Sequence, residues 1–320
     1  MRTALAFAPL FALLAAPLAA QEELRVTHDG LMGDLAGTLL GDLDETRKLV
    51  LIIPGSGPTD RDGNNPLGVK AAPYRLLAEA LAEHGIASVR IDKRGMAGSK
   101  NAVVNANDVT VEDYVDDVEA WTRQLAERSS GECIWVLGHS EGGLIAMAAA
   151  ARDPVPYCGL VLVAAPGRNL SEIIRTQIAA NPMAEPLLPQ VDDIIARLSA
   201  GETVPAEDIH PGLLPLFGPQ VQGLISSLFR QNPSELLASH ELPVLILNGD
   251  KDIQTPDEDA ELLASSRSDA QLVVLPGVNH VLKRVEGDDR EANIATYADP
   301  DLPLAPGVAD AIVQFIDQAS

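Results

Sequence analysis

Aromatic residues and positive charge are both scarce in this chain, and each shortage excludes a class of partner. Two Trp, four Tyr and five Phe in 320 residues are too few for a base-stacking platform or for the aromatic belts of a membrane protein. The 23 lysines and arginines face 46 acidic residues, so the formal net charge is −23. Carboxylates spread along the chain repel phosphate backbones and anionic lipids. We therefore expect no nucleic acid and no anionic membrane surface as partner.

No long apolar run occurs after residue 20. Arg2 precedes an uncharged stretch at residues 4–20 that ends in small residues, which is typical of a secretory signal peptide. The stretch is shorter than the roughly 20 residues of a membrane-spanning helix. We therefore expect residues 1–20 to be a signal peptide cleaved near Ala20. The mature protein should be exported, periplasmic or secreted, without stable membrane insertion.

Cysteines and metal-binding patterns are also few. Two cysteines are compatible with an oxidising compartment but do not make a disulfide scaffold. Cys133 and Cys158 each begin a predicted strand, so a bridge is geometrically conceivable if the strands are parallel neighbours, and two buried free thiols are the alternative. The sequence contains no H-E-x-x-H or similar zinc pattern, so we expect no metal and no organic cofactor.

Strand and helix signals alternate along most of the chain. Apolar, β-branched runs predict strands at residues 24–27, 36–40, 48–53, 86–91, 133–137, 159–163, 243–247 and 271–275. Helical patterns between the later runs predict an α/β fold, a mostly parallel sheet with helices on both faces.

One segment interrupts this alternation. Residues 166–242 contain helical patterns punctuated by prolines and no strand pattern. We interpret this segment as a helical lid or cap over the carboxyl ends of the strands, inserted into a core formed by residues 21–165 and 243–320. An ordinary helical excursion with no role beyond packing is the alternative.

The motif G-x-S-x-G at residues 138–142 lies between a predicted strand and a predicted helix. A serine on such a sharp turn exposes its hydroxyl at the top of the sheet, and the flanking glycines let strand and helix approach closely. This context predicts that Ser140 is a nucleophile. A buried structural serine is the alternative.

A serine nucleophile needs a base, and the base needs an acid to hold its tautomer. His280 follows the strand at residues 271–275 through a short loop, which places it at the carboxyl edge of the sheet. Asp250 and Asp252 both follow the strand at residues 243–247, and spacing does not decide between them. His280 is thus the predicted base, and one of these aspartates the predicted acid.

The reaction also requires two N–H groups that stabilise an oxyanion. The amide of Glu141, directly after the nucleophile, is the first predicted donor. The second is expected from the Gly-rich loop at residues 54–64. A phosphate-binding loop is the rival interpretation, but the loop has no G-K-[ST] ending and does not open into a helix.

Several motifs in order resemble the α/β-hydrolase superfamily: P-G-S-G-P-T-D-R-D-G-N at 54–64, I-D-K-R-G-M-A-G-S at 91–99, G-H-S-E-G-G at 138–143, G-D-K-D-I-Q-T-P at 249–256 and N-H at 279–280. Within it the chain is similar to bacterial esterase-like hydrolases often described as serine-aminopeptidase-like.

The resemblance implies an α/β-hydrolase fold with Ser140 as nucleophile, Asp252 rather than Asp250 as acid, and His280 as base. It also implies the Ser56 amide, with Gly57 as alternative, as second oxyanion donor. Many members have His-Gly where this chain has Pro54-Gly55, which leaves the geometry of that loop open. Two motif residues, Asp92 and Arg94, are expected to hold the loop rather than to take part in chemistry.

These expectations describe a serine hydrolase of small-molecule carboxylic esters, of the short-chain carboxylesterase type. A serine peptidase of the aminopeptidase type is the alternative, and it would need carboxylates to hold a substrate amine. Six acidic residues of the insertion are available for that role: Glu172, Glu185, Asp192, Asp193, Glu202 and Glu207. A non-catalytic exported binding protein is a third hypothesis.

Overall fold

The computed structural model describes residues 21–43, 47–129 and 133–319. The predicted signal peptide lies outside the described residues. The eight described strands are β1 (Gln21–Val26), β2 (Leu35–Leu40), β3 (Leu49–Ile53), β4 (Ala87–Ile91), β5 (Ile134–His139), β6 (Tyr157–Val163), β7 (Val244–Gly249) and β8 (Gln271–Leu275). The described α-helices are α1 (Pro73–Glu83), α2 (Val111–Arg128), α3 (Glu141–Arg152), α4 (Leu170–Ala179), α5 (Leu188–Ser199), α6 (Leu214–Phe217), α7 (Gln222–Phe229), α8 (Pro233–Ala238), α9 (Asp257–Ser266), α10 (Arg290–Ala295) and α11 (Val308–Ala319).

All eight strands form one sheet in the order β1-β2-β4-β3-β5-β6-β7-β8. β1 and β2 pair antiparallel, β2 pairs antiparallel with β4, and the remaining neighbours are parallel. The predicted mostly parallel α/β sheet is thereby confirmed. Because β3, β5, β6, β7 and β8 run in the same direction, the loops after them meet at one edge.

Helices cover both faces of the sheet. Buried side chains of α2, α3 and α9 pack on one face in a cluster that includes Trp121 and Leu144. Side chains of α1 and α11 pack on the other face, around Trp135 and Phe315. The central strand β3 is buried along its whole length, which explains its continuous apolar sequence. Thr110 begins α2 with a capping box in which the Thr110 and Asp113 side chains bond each other's backbone amides.

The segment 166–242 contains helices α4 to α8, and none of its described residues belongs to a strand. Its buried side chains form a separate cluster around Ile194, Leu198 and Phe217. The segment joins the core where α8 packs on α3 and α9, and where α7 packs on α2. The helical insertion therefore has its own small core, and its role as a lid stays a prediction.

The two cysteines are joined. Cys133 and Cys158 form a disulfide with a Cα–Cα distance of 5.1 Å. Of the two arrangements that the sequence left open, the structure has the bridge. Since β5 and β6 are parallel neighbours, both sulfurs lie at their amino ends, opposite the edge that carries Ser140. No helix among the described residues is long and apolar enough to cross a bilayer.

Candidate active site

Ser140 occupies a sharp turn between a strand and a helix. β5 ends at His139 and α3 begins at Glu141, so one residue makes the turn, with φ +54° and ψ −123°. A non-glycine residue at this φ is strained, which is typical of functional positions. The turn also requires glycines: a Cβ at Gly138 would lie 2.2 Å from the carbonyl oxygen of Gly142, and one at Gly142 2.3 Å from that of Ile53. The predicted strand–turn–helix setting of Ser140 is present.

His280 and Asp252 lie together on neighbouring loops after β8 and β7. His280 Nδ1 lies 2.7 Å from Asp252 Oδ2, and both side chains are buried. The other carboxylate oxygen, Oδ1, accepts the backbone N–H groups of Gln254 at 2.7 Å and Thr255 at 2.8 Å. With these acceptor positions filled, the carboxylate is held in one orientation and keeps the His280 proton on Nδ1.

Asp250 has a different environment. Its Oδ1 accepts the backbone N–H of Gly277 at 2.7 Å, in the turn that leads from β8 to His280. Asp250 thus supports the loop, as turn aspartates commonly do. Of the two aspartates that spacing left open, the structure brings only Asp252 to the imidazole.

A cavity of about 220 Å³ contains both Ser140 and His280. No hydrogen bond joins their side chains in the described part of the chain, and such bonds often tighten only when substrate binds. The lining residues are Gly55, Ser56, Gly57, Pro58, Thr59, Gly63, Asn65, Leu67, Val69, Pro73, Tyr74, His139, Ser140, Gln254, His280, Val281 and Tyr297. None of these lining residues is acidic or carries a permanent charge. The structure therefore brings Ser140 and His280 into a single uncharged pocket.

The predicted oxyanion donors lie around the same cavity. Ser56 and Gly57 line it directly, and Gly57 has φ +71°, a conformation that favours glycine. The Glu141 amide belongs to the first turn of α3, where backbone N–H groups have no partner within the helix. Ser56 and Gly57 thus lie at the cavity and Glu141 directly follows Ser140, while their role as oxyanion donors stays a prediction.

The Glu141 side chain has a separate function. Its Oε1 accepts a hydrogen bond from Lys93 Nζ at 2.7 Å, and the ammonium group lies 5.1 Å from the centre of the Tyr114 ring. Burial is the largest single influence and disfavours the charged ammonium, but Glu141 and Tyr114 together outweigh it, so the pKa of Lys93 is raised. This buried ion pair connects the loop after β4 to the first residue of α3.

Asp92 holds the 54–64 loop, as expected. Its Oδ1 accepts the backbone N–H of Arg61 at 2.7 Å, and its Oδ2 accepts Arg61 Nε and the backbone N–H of Gly98, both at 2.9 Å. The expectation for Arg94 was wrong. The Arg94 guanidinium instead pairs with Asp113 and Asp117 on α2.

Sequence reasoning missed four further residues at the cavity. Tyr74, at the start of α1, and His139 line it, as do Gln254 and Tyr297. Gln254 Nε2 donates to Tyr297 Oη at 3.1 Å. The scarcity of tyrosine was an available signal, since two of the four tyrosines line this one pocket. Tyr74 and Tyr297 lie outside the quoted motifs, and the place of all four residues at the cavity depends on tertiary folding.

The insertion contributes none of the residues that line this cavity. The cavity is lined instead by residues between 55 and 74, by His139, Ser140 and Gln254, and by residues between 280 and 297 beyond β8. The backbone N–H of Lys70 donates to the carbonyl oxygen of Tyr297 at 2.7 Å, which ties the first and last of these segments together. The six acidic residues considered for binding an amine are all exposed, and none of them lines the cavity: Glu172, Glu185, Asp192, Asp193, Glu202 and Glu207.

No group of three or more His, Cys, Asp or Glu side chains in residues 21–43, 47–129 and 133–319 is arranged to hold a metal ion. The described site is built from a hydroxyl, an imidazole, a carboxylate and backbone amides.

Comparison with known sequences gives relatives of two kinds. The sequence model of the family described as "Serine aminopeptidase, S33" matches residues 67–211, a region that contains Ser140 but neither Asp252 nor His280. Esterase EstD of Thermotoga maritima is 26% identical over 273 residues, covering 83% of this chain and 61% of that protein. The chain thus spans less than two thirds of that relative. A monoacylglycerol lipase of Mycolicibacterium smegmatis is 26% identical over 235 residues, covering 66% of this chain and 76% of the lipase.

Comparison of structures shows the fold. Est1E from Butyrivibrio proteoclasticus superposes with a TM-score of 0.55 at 18% identity, covering 92% of this chain and 99% of that one. A thermophilic esterase from Thermogutta terrifontis, solved with malate bound, superposes with a TM-score of 0.56 at 19% identity, covering 93% and 99% of the two chains. Sheet order, the turn at Ser140 and these solved structures together show that the chain has the α/β-hydrolase fold.

Proposed function

We propose that this protein is a serine hydrolase that cleaves short-chain carboxylic esters through an acyl-enzyme. The observation that carries the proposal is the uncharged cavity containing Ser140 and His280, with Asp252 bonded to the far side of the imidazole. In this mechanism His280 Nε2 removes the Ser140 proton as Oγ attacks the ester carbonyl carbon. Asp252 stabilises the imidazolium that forms, since the carboxylate remains ionised.

The backbone N–H groups of Glu141 and Ser56, with Gly57 as the alternative, would then stabilise the negative oxygen of the tetrahedral intermediate. His280 returns the proton to the leaving alcohol, and the acyl group stays on Ser140. A water molecule, deprotonated by the same imidazole, attacks the acyl carbonyl; the bond from the acyl carbon to Ser140 Oγ then breaks, Oγ takes the proton back from His280, and the acid is released. Each of these steps uses side chains and amides of the chain itself.

Cavity size supports small substrates. About 220 Å³ is below the range of roughly 300–1,000 Å³ that is typical of pockets for drug-sized ligands. The apolar side chains of Leu67, Val69 and Val281 suit a short acyl or alkyl group. We therefore expect acetyl and butyryl esters to be better substrates than octanoyl or dodecanoyl esters.

A serine aminopeptidase is the second candidate, favoured by the family description that matches residues 67–211. A peptide substrate of that kind presents a free ammonium group, which is bound by carboxylates when it is removed from water. The cavity lining contains no aspartate or glutamate, and the acidic residues of the insertion are exposed away from it. These features favour esters over N-terminal aminoacyl amides.

Export is a further proposal. It rests on the charged start and apolar run of residues 1–20 and is supported by the Cys133–Cys158 disulfide, since such bonds persist in oxidising compartments. Cleavage after Ala20 would leave all described residues of strand β1 in the mature protein. The test is the N-terminal sequence of the protein recovered from the periplasm or medium. Recovery of uncleaved protein in the cytoplasm would refute the proposal.

The activity is tested with p-nitrophenyl acetate, butyrate, octanoate and dodecanoate beside alanine p-nitroanilide. We expect acetate and butyrate to have the highest kcat/KM and the anilide to be a poor substrate. Turnover of the anilide alone would instead establish the peptidase. Ser140→Ala should lower kcat by about 10⁶-fold, as removal of a serine nucleophile does elsewhere.

Labelling by a fluorophosphonate probe separates an enzyme from a non-catalytic binding protein. The unaltered protein should be labelled and the Ser140→Ala variant should not. Ser265→Ala, which removes an exposed hydroxyl on α9, is the matched control and should be labelled fully. A protein that is folded but neither labelled nor active on any of the esters would be a binding protein.

A further inference from the structure

His139, the residue directly before the nucleophile, has both ring nitrogens engaged inside the protein. Its Nδ1 lies 2.9 Å from Tyr74 Oη, and its Nε2 lies 2.8 Å from the backbone carbonyl oxygen of His280. The ring is buried, and its centre is 4.6 Å from that of the His280 ring. The imidazole thus lies between α1 and the loop that carries the predicted base.

The direction of each hydrogen bond follows from the partners. A carbonyl oxygen only accepts, so His139 Nε2 carries the proton and donates it to the carbonyl of His280. Burial, and then the nearby His280 imidazole, lower the pKa of His139 to about 3, so the ring is neutral and Nδ1 is an acceptor. Nδ1 therefore accepts the hydroxyl proton of Tyr74.

Tyr74 extends this chain to the loop of the predicted oxyanion donors. Its hydroxyl oxygen accepts the backbone N–H of Gly55 at 3.0 Å, in the residue directly before Ser56. Burial raises the pKa of Tyr74, so the hydroxyl keeps the proton that it donates to His139. One continuous series of bonds therefore runs from Gly55 through Tyr74 and His139 to the backbone of His280.

We propose that Tyr74 and His139 are positioning residues that hold the oxyanion loop, the nucleophile turn and the base loop in one arrangement. The proposal rests on the proposed function, because it assigns Ser140, His280 and the Ser56 amide the roles given there. Neither ring takes part in proton transfer, since both His139 nitrogens and the Tyr74 proton are already committed. The two side chains act through the backbone groups of Gly55 and His280.

Displacement of the loop at Gly55 would misplace the amides proposed to bind the oxyanion. It would therefore weaken transition-state stabilisation more than it would weaken substrate binding. A misplacement of about 1 Å costs about 100-fold in rate in other enzymes. The Tyr74→Phe variant keeps the ring but leaves the Gly55 N–H and His139 Nδ1 without their partner. We expect it to lower kcat by about 10- to 100-fold while KM for p-nitrophenyl acetate changes by less than about 3-fold.

Substitutions at His139 test the bonds separately from the ring. A glutamine side chain offers one acceptor and one donor at a spacing close to that of the two imidazole nitrogens, whereas leucine offers neither. We expect His139→Gln to retain at least about 10-fold more kcat than His139→Leu. Tyr157→Phe is the matched control, since it removes a buried tyrosine hydroxyl at the amino end of β6, and it should leave kcat and KM unchanged.

The rates are measured per active site, titrated with a fluorophosphonate, so that unfolded protein does not count. A Tyr74→Phe variant with kcat within 2-fold (about the error of such a comparison) of the unaltered protein would overturn the proposal. Equal activities of the glutamine and leucine variants would do the same. If the unaltered protein reacts with neither fluorophosphonate nor ester, the proposed function itself fails, and the positioning role fails with it.

Discussion

Replacing Asp252 with asparagine changes one atom of the site and should lower kcat/KM by about 10⁴-fold. In the structure Asp252 Oδ2 lies 2.7 Å from His280 Nδ1, and Oδ1 accepts two backbone N–H groups. An amide has a single oxygen. When that oxygen bonds the backbone groups, the NH₂ group faces Nδ1, and the imidazole must move its proton to Nε2.

An imidazole protonated on Nε2 has no lone pair for the Ser140 proton. The same carboxylate-to-amide change in serine proteases leaves the geometry intact and lowers kcat about 10⁴-fold. At about 1.36 kcal/mol for each tenfold, the loss corresponds to roughly 5 kcal/mol of transition-state stabilisation. The fold should be retained, because asparagine preserves the volume and the backbone contacts of Asp252.

Asp250→Asn is the matched control two residues away. Asp250 Oδ1 accepts only the Gly277 N–H among the bonds described, and an amide oxygen also accepts that bond. We expect this variant to keep kcat/KM within about 3-fold, since the asparagine oxygen accepts the same Gly277 bond and only the strength of that bond changes. Both variants are assayed with p-nitrophenyl acetate, and thermal unfolding is measured in parallel. Activity of Asp252→Asn within about 10-fold of the unaltered protein, or a larger loss in Asp250→Asn, would refute the assignment of the acid.

Two further predictions concern stability. Replacing Cys133 and Cys158 by serine should lower the free energy of unfolding by about 3 kcal/mol, because the disulfide joins residues 25 positions apart. Esterase activity at room temperature should be kept, and an unchanged urea unfolding curve would contradict the prediction. Because the pKa of His139 is lowered from 6.5 to about 3 in the folded protein, the unfolded chain binds more protons between these pH values. Stability from this group is therefore complete above about pH 6.5 and is lost as pH falls towards 3, by up to about 5 kcal/mol. His139→Gln should flatten urea-measured stability over that range, and an unchanged slope would exclude His139 as the source.

Local pattern determined much of the architecture. Alternating strand and helix signals predicted the parallel sheet, because burial on both faces requires continuous apolar strands between covering helices. The G-x-S-x-G sequence predicted a turn at Ser140, since the close approach of strand and helix excludes a Cβ at Gly138 and Gly142. These features depend on residues near one another in the chain, where a motif carries the information.

Contacts between distant segments were decided only by the tertiary structure. Sequence spacing left Asp250 and Asp252 as equivalent candidates for the acid. They differ because Asp250 bonds the turn at Gly277, whereas Asp252 bonds the imidazole of His280, 28 residues after it in the chain. The bridge between Cys133 and Cys158 likewise depended on β5 and β6 being neighbours in the sheet.

Tyr74 lies outside the quoted motifs, and the motif that contains His139 did not reveal its role, because its bonds join residues 65 and 141 positions apart. Sequence also suggested that the insertion shapes the pocket, which stays a prediction, since the lining residues of the described cavity all lie outside residues 166–242. Each of these outcomes depends on where helices and loops dock on the sheet. Docking is set by long-range packing, which leaves no periodic signal in the sequence.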